Sequence, residues 1–271
     1  MRWTRGGTSA NIEDRRGQIA IGGGIGTIVF LVLGLIFGRD FVGSASDGAP
    51  RTASKADDQE MVEFVSFVLD DAQTAWSKIL PEQTRTPYRD AKLVLFTDRV
   101  QSGCGYGEAA MGPFYCPADE KAYIDLGFYD ELRARFGAPG DFAQAYVLAH
   151  EIGHHVQKVL NEEERARRIV RPSTQAEQRD MRMRLELQAD CFAGVWAHST
   201  KRRDLLQAGD IEEAIGAASA VGDDRIQQQS TGRVNPETWT HGSSAQRVQW
   251  FKRGFASGRL EDCDPFSGSE A

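Results

Sequence analysis

The sequence lacks the features of several common protein classes. It has no surplus of positive charge, since 32 lysines and arginines stand against 39 acidic residues and the net charge is −7. Nucleic-acid phosphates are usually recognised by a basic surface, so we expect no nucleic-acid partner. The chain shows no internal repeat, and its cysteines nowhere stand in the close pairs of a cysteine-based zinc ribbon.

Cysteine is scarce, with four residues in 271. An even number in an exported domain predicts two disulfides. Cys104 and Cys116 flank a glycine-rich loop and are the natural local pair, which leaves Cys191 to pair with Cys263. Four unpaired thiols in a reducing compartment are the alternative, and the choice depends on the side of a membrane on which the domain lies.

Long apolar runs are equally scarce, and the most prominent one extends without charge from Ile19 to Phe37. If helical, this run is long enough to cross the core of a bilayer. The arginines at positions 2, 5, 15 and 16 favour a cytoplasmic N-terminus and an exported C-terminal bulk. A cleaved signal peptide is the alternative, but the run is long for one. We therefore predict a retained transmembrane helix and an extracytoplasmic domain.

Composition divides the chain into five segments. A short cytoplasmic tail, residues 1–18, precedes the anchor at 19–37, and a linker rich in Gly, Ser, Ala and Asp covers 38–57. One folded domain follows at 58–266, and a tail at 267–271 ends the chain. With 41% hydrophobic and 26% charged residues, the chain can bury a core of ordinary size.

Helical periodicity dominates this domain. Capping boxes at Asp141 and Thr174 are predicted to open two long helices, and a third at Asp210 a shorter one over roughly 211–221. Short apolar runs at 93–96, 114–116 and 122–125 predict a small sheet on the N-terminal side, and the last two can pair as a hairpin. We therefore predict an α+β fold, mostly helical, preceded by one transmembrane helix.

The most informative pattern is the sequence HEIGH at positions 150–154, inside an apolar run predicted to be helical. Because a helix advances about 100° per residue, His150 and His154 lie on one face. Two imidazoles at this spacing beside a carboxylate, Glu151, are typical of a catalytic zinc site. His155 lies roughly 100° beyond His154 and is predicted to miss the metal.

A catalytic zinc site needs a third protein ligand and leaves its fourth position open. Glu186 and Asp190 lie four residues apart on the next long helix and therefore share a face. We predict Glu186 as the third ligand. Asp190 is the predicted acceptor behind His150 or His154, because metal-bound imidazoles usually donate their second N–H group. His198 lies near the end of the same helix and is predicted to be a surface histidine.

The same pattern also has a purely structural interpretation. A five-residue motif can arise by chance, and a glutamate on a helix is usually solvated. Two observations favour the metal site. The motif lies among apolar residues, where an unpaired charge would be costly, and the Glu186–Asp190 pair follows on a helix that can fold back antiparallel.

Four separated blocks of the sequence resemble, in the expected order, those of a bacterial family of neutral zinc metallopeptidases (YpfJ-like). They are GPFYCP at 112–117, AYVLAHEIGHHVQ at 145–157, ELQADCFAG at 186–194 and THGSS at 240–244. The resemblance covers roughly 58–266. It implies a zincin-like domain with a gluzincin-like Zn²⁺ site, anchored in the bacterial cytoplasmic membrane by its N-terminal helix.

The predicted chemistry is hydrolysis of a peptide bond in a protein or peptide substrate. Zinc would activate a water, and Glu151 would accept its proton and pass it to the leaving amine. His241 is the predicted donor to the oxyanion, although it could equally cap local structure. Tyr123 and Tyr146 are weaker candidates. The segment 122–125 is predicted to be an edge strand that binds an extended substrate.

Two other functions fit the same residues. A zinc amidase acting on a cell-wall amide would keep the site and change the substrate. A non-catalytic, membrane-anchored binding protein would use zinc structurally, but structural sites usually have four protein ligands and the sequence offers three. Two polar stretches remain. The first, 162–171, is predicted to be solvated and is expected to be a mobile segment between the ligand helices, and the second, 222–237, is predicted to be a loop.

Overall fold

A four-stranded sheet is built around two apolar segments, Lys92–Phe96 (β2) and Lys121–Asp125 (β6). These strands pair in parallel, and most of their side chains are fully buried. Ile12–Asp14 (β1) adds in parallel to β2, and Phe114–Cys116 (β5) adds antiparallel to β6. The strand order is therefore β1-β2-β6-β5, with β5 at the edge.

A separate hairpin packs beside β5. It consists of Arg99–Ser102 (β3) and Gly105–Glu108 (β4), which pair antiparallel. A disulfide joins Cys104, in the turn of this hairpin, to Cys116 at the end of β5. Gly107 lies so close to the ring of Phe114 that a Cβ atom there would come within 2.5 Å of it. The hairpin is therefore held tightly against the face of the sheet on which the rings of Phe114 and Tyr123 lie.

The computed structural model describes residues 1–17, 55–109, 112–134, 137–231, 233–236 and 239–267. Within these ranges eight α-helices occur: Lys55–Thr84 (α1), Gly127–Ala134 (α2), Asp141–Leu160 (α3), Glu162–Val170 (α4), Gln175–Arg202 (α5), Asp210–Ala220 (α6), Asp223–Thr231 (α7) and Ser244–Ser257 (α8). A 3₁₀-helix, Leu260–Cys263, follows α8, and a second disulfide joins Cys263 to Cys191 on α5. The α+β class, the small sheet and both expected disulfides are present.

Helix α3 passes through the middle of the domain. Fifteen of its twenty residues are buried, as expected for a helix that is apolar on most sides. Its partner α5 runs antiparallel to it at unusually short range. A Cβ atom at Gly153 would lie 2.9 Å from the carbonyl oxygen of Ala189, so only glycine permits this approach. The two helices that carry the predicted metal ligands therefore touch backbone to backbone.

Two of the three predicted helix caps were wrong, since α6 begins after Gly209 with no side-chain cap and α3 also departs from the prediction. Helix α5 begins with the expected capping box of Thr174 and Glu177. Helix α3 instead begins after Gly140, which has a φ of 116° and no side-chain cap. Asp141 does not cap the helix because its carboxylate accepts a hydrogen bond from the amino group of Met1. A long-range contact has replaced the local one.

The polar stretch 162–171 exposes half of its residues, as expected for a solvated segment, but it is helical. Most of it forms α4, which is flanked by the left-handed residues Asn161 and Arg171. Ala166 on α4 is fully buried in a small apolar cluster with Phe266. The segment between the ligand helices is therefore a packed helix.

The predicted transmembrane helix has to be corrected. Residues 19–37 lie outside the described residues, and among the described residues no helix is both long and apolar enough to cross a membrane. Residues 1–17 pack on the domain: β1 pairs with β2, and the ring of Trp3 contacts Phe64 on α1 at 5.4 Å. A single crossing at 19–37 would place β1 and β2 on opposite sides of a bilayer. The observed fold is therefore an α+β domain that includes the first residues of the chain.

Candidate metal centre

Three predicted side chains meet at one point between α3 and α5. His150 and His154 project from α3, and Glu186 projects from α5. One ligand atom from each lies within 4.8 Å of the other two. The Oε2 atom of Glu186 is 3.3 Å from Nε2 of His150 and 3.4 Å from Nε2 of His154. The three side chains therefore present two nitrogens and one oxygen to a common point.

These separations fit a tetrahedral zinc ion. Zinc lies about 2.0–2.1 Å from imidazole nitrogens and carboxylate oxygens, so neighbouring ligand atoms stand about 3.3–3.4 Å apart. The two nitrogen–oxygen distances of 3.3 and 3.4 Å match this spacing. Two imidazoles and one carboxylate are also a ligand set of catalytic sites, in which water or substrate takes the fourth position.

Asp190 is the acceptor behind His150. Its Oδ1 atom is 2.9 Å from Nδ1 of His150, which leaves Nε2 for the metal. Arg247 on α8 pairs with both oxygens of this carboxylate, at 2.8 and 2.9 Å, and Tyr146 donates its hydroxyl to Oδ1. Burial raises the pKa of Asp190, but Arg247 and His150 outweigh burial and lower that pKa to about 2. The carboxylate is therefore held as an anion, and Arg247 compensates its buried charge.

Gln157 has the same relation to His154. Its Oε1 atom is 2.9 Å from Nδ1 of His154. Its Nε2 group donates to the backbone carbonyl of Leu185 at 2.6 Å and to Oε1 of Gln188 at 3.0 Å. Because a carbonyl can only accept, these bonds fix the orientation of the Gln157 amide. The Nδ1 atom of His154 therefore donates, and its Nε2 atom is left for the metal.

The buried cluster has strongly shifted pKa values. Burial raises the pKa of Glu186, but the two imidazoles outweigh burial and hold that pKa well below its usual range. Burial lowers the pKa of His150, but Asp190 and Glu186 outweigh it and raise that pKa to about 9. The pKa of His154 is also raised, by Glu186 against the effect of burial. A metal ion that binds here must therefore displace protons from imidazole.

Glu151 lies beside the cluster and lines the same cleft. Only 6% of its surface is exposed. Burial raises the pKa of its carboxyl group and outweighs the opposing effect of the two imidazoles. A raised pKa brings a carboxylate closer to the value that suits proton transfer near neutral pH.

A short loop places His241 at the same cleft, with 48% of its side chain exposed. Asp223 holds this loop, since its Oδ2 atom accepts the backbone N–H groups of Thr240 and His241 at 2.6 Å and of Gly242 at 3.1 Å. Its Oδ1 atom is 3.2 Å from Nδ1 of His241. The prediction that 222–237 is all loop was wrong, because Asp223 begins α7. With Nδ1 facing Asp223, the Nε2 atom of His241 is left for the cleft.

The other two histidines, His155 and His198, connect secondary-structure elements. His155 does not join the cluster: its Nε2 atom is 2.7 Å from the carbonyl oxygen of Arg89, and its Nδ1 atom is 2.9 Å from the hydroxyl of Tyr115. It therefore ties α3 to the sheet. The Nδ1 atom of His198 lies 2.9 Å from the carbonyl oxygen of Phe255, which ties α5 to α8.

Neither tyrosine considered as an oxyanion donor is available for that role. The hydroxyl of Tyr146 is used by Asp190. The hydroxyl of Tyr123 donates to Asp119 at 2.6 Å, and its ring is stacked on that of Phe114. His241 is therefore the candidate that the geometry leaves.

The site opens into a cleft of about 950 Å³. One wall is formed by β5 and the residues just before it, including Pro113, Phe114 and Tyr115. The prediction that 122–125 is an edge strand was wrong, because β6 is paired on both sides, with β2 and β5. The strand at the edge of the sheet, next to the cleft, is β5.

Comparison with known families agrees with this arrangement. Residues 1–266 match the model of a family described as "Putative neutral zinc metallopeptidase". The chain belongs to this family. The resemblance seen in the four sequence blocks is thereby confirmed, and zinc is the cofactor that the family implies.

Relatives within the family cover most or all of the chain. It is 44% identical over 288 residues to the uncharacterized protein YpfJ of Escherichia coli K12, an alignment that spans 99% of this chain and 100% of the relative. It is 46% identical over 206 residues to the uncharacterized protein Rv2575 of Mycobacterium tuberculosis H37Rv, spanning 72% of this chain and 67% of the relative. No solved structure matches the chain.

Three residues that support the site were missed by sequence reasoning. Gln157 follows His154 by three positions and so lies on the same helical face, a signal that could have identified it. Arg247 and Asp223 have no comparable signal. Arg247 acts on Asp190, 57 positions away, through the packing of α8 against α5. Asp223 acts on His241, 18 positions away, from a helix that packs on α6 and α8.

Proposed function

We propose that the protein is a gluzincin-like endopeptidase in which His150, His154 and Glu186 bind the zinc ion. Membership of the family makes the chain a zinc peptidase at the family level. The observation that carries the finer proposal is the spacing of the three ligand atoms, with two nitrogen–oxygen distances of 3.3 and 3.4 Å. The cleft around them also contains Glu151, which a purely structural zinc site would not need.

The residues around the ligands have separate tasks in this proposal. Bound zinc supplies Lewis acidity, which polarises the scissile carbonyl and acidifies a water. Glu151 accepts the proton of that water and passes it to the leaving nitrogen. His241, held through Nδ1 by Asp223, donates from Nε2 to the negative charge that develops on the carbonyl oxygen. Asp190 orients the first imidazole ligand.

The substrate is proposed to bind as an extended chain along β5. An edge strand offers unpaired backbone N–H and C=O groups, which can pair with a peptide of any sequence. Helix α3 lies directly behind this strand, tied to it by the hydrogen bond between Tyr115 and His155. A peptide added to β5 would therefore pass over the ligand helix, where Glu151 lines the cleft.

We also propose an extracytoplasmic location for the domain. The support is the pair of disulfides, Cys104–Cys116 and Cys191–Cys263, because disulfides persist in oxidising compartments. The described residues contain no free cysteine.

The test uses the full chain and its Glu151→Gln variant. We expect equal zinc content in both, and at least a hundredfold loss of cleavage of an unfolded protein by the variant, because the base has been removed. Zinc in both with no cleavage of protein or of a cell-wall amide by the wild type would contradict a hydrolytic function. If the zinc were structural, its removal by a chelator would also unfold the domain, whereas removal of a catalytic zinc should leave the domain folded.

A further inference from the structure

Two exposed cations, Lys158 and Arg182, lie one helical turn beyond the candidate metal site. Lys158 follows His154 by four residues on α3, so it continues the face that carries both histidine ligands. Arg182 precedes Glu186 by four residues on α5 and continues the face of the third ligand. Both side chains are exposed and both line the same cleft.

The antiparallel packing of the two helices brings these cations to the same end of the site. Gly153 faces Ala189, and Gln157 donates to the carbonyl of Leu185, so moving forward along α3 means moving backward along α5. Four residues of helix correspond to about 6 Å along the axis. Lys158 and Arg182 are therefore displaced from the ligands in the same direction and by a similar distance.

Neither of these two residues forms an ion pair. Within the described part of the chain, no carboxylate lies within 4 Å of either cation, and Glu120, which attracts Lys158 from a greater distance, is itself paired with Arg89 at 2.7 Å. The acidic residues of α4 at the same cleft are already paired, Glu163 with Arg167 at 2.7 Å and Glu164 with Arg168 at 3.8 Å. A region of uncompensated positive charge thus borders the cleft of a protein whose net charge is −7.

We propose that Lys158 and Arg182 form a subsite for a carboxylate of the substrate. An extended peptide advances about 3.3–3.6 Å per residue, so a displacement of about 6 Å corresponds to roughly two residues from the scissile bond. The carboxylate is either the side chain of an Asp or Glu at that position or the C-terminus of a short product. This subsite rests on the proposed peptidase function, and it determines which peptides that function favours.

Matched quenched fluorescent peptides test the subsite with the full-length zinc-loaded protein. One series carries Asp, Asn or Lys two residues from the scissile bond, on either side in turn, with an amidated C-terminus. A second series is neutral and ends two residues after the scissile bond, as the free acid or the amide. The proteins compared are the wild type, the Lys158→Gln/Arg182→Gln double variant and the control Lys252→Gln, an exposed cation on α8 outside the cleft.

For the wild type we expect kcat/KM for the favoured carboxylate peptide to exceed that of its neutral partner by about 2- to 30-fold, the range for two exposed ion pairs. The preference should fall to near parity in the double variant and persist in Lys252→Gln, with equal zinc content in all three proteins. A preference in the first series would identify the ligand as a side-chain carboxylate, and a preference in the second series would identify it as the C-terminal carboxylate. Equal cleavage of all peptides, or a preference that survives in the double variant, overturns the subsite. Cleavage of no peptide overturns the proposed function instead.

Discussion

Replacing Gln157 with leucine should weaken zinc binding by about 10- to 100-fold. In the structure, the Gln157 Oε1 atom is the acceptor for Nδ1 of His154, at 2.9 Å. Leucine has a similar volume but offers no acceptor, and the site is only 7% exposed, so bulk water cannot take its place. Loss of such a partner typically reduces metal affinity 10- to 100-fold, which corresponds to about 1.4–2.8 kcal/mol.

A second variant separates orientation of the ligand from general damage to the core. Gln188→Leu removes one of the two groups that anchor the Gln157 amide but leaves the carbonyl of Leu185, at 2.6 Å, in place. Both variants lose buried hydrogen bonds, so both should destabilise the metal-free protein by about 1–3 kcal/mol. Zinc affinity should fall less than tenfold in Gln188→Leu, because the acceptor for His154 remains.

The assay is competition for zinc against a chromophoric chelator, combined with urea unfolding of the metal-free proteins. The order of affinity should be wild type, then Gln188→Leu, then Gln157→Leu. If Gln157→Leu bound zinc within twofold of the wild type while remaining folded, the assigned role of Gln157 would be refuted. Equal losses in the two variants would show that the effect comes from the core and not from the acceptor.

Zinc affinity should rise with pH. The neighbouring carboxylates raise the pKa of His150 to about 9, so zinc displaces at least one proton below that pH and apparent affinity should increase about tenfold per pH unit between 7 and 9. A flat profile in the competition assay would contradict the raised pKa. The two disulfides should contribute unequally to the free energy of unfolding. Loss of Cys191–Cys263, which spans 72 residues, should cost about 4 kcal/mol, and loss of Cys104–Cys116, which spans 12, about 3 kcal/mol. Urea unfolding of the Cys→Ala pairs measures this, and the reverse order would contradict the loop-length argument.

The meeting of His150, His154 and Glu186 could be predicted from the sequence because it depends on helix geometry. A spacing of four residues places two side chains on one face whatever the rest of the protein does, and this holds for His150 with His154 and for Glu186 with Asp190. The only non-local requirement is that the two helices meet, and Gly153 in the motif permits this. Local rules were therefore sufficient for the residues that meet at the site.

The errors arose where distant segments replaced local interactions. The apolar run 19–37 was interpreted from its length, its hydropathy and the arginines before it, none of which can reveal that Ile12 pairs with Leu93, 81 positions later. Asp141 has the sequence context of a helix cap but bonds instead to Met1. Arg247 could not be assigned for the same reason, since its partner Asp190 lies on another helix. Such pairings depend on the assembled core and leave no periodic trace in the sequence.

The position of β1 has a practical consequence for anyone who prepares this protein. A truncated version that starts at α1 would lack β1. The backbone groups of β2 that now pair with β1 would then be unpaired, and β2, with the sequence KLVLF at 92–96, would become an edge strand. An exposed apolar edge of this kind is a site of aggregation. The same truncation would uncover the rings of Phe64 and Phe67 that Trp3 now contacts. An inactive precipitate obtained in this way would report on the missing strand and not on the chemistry of the cleft.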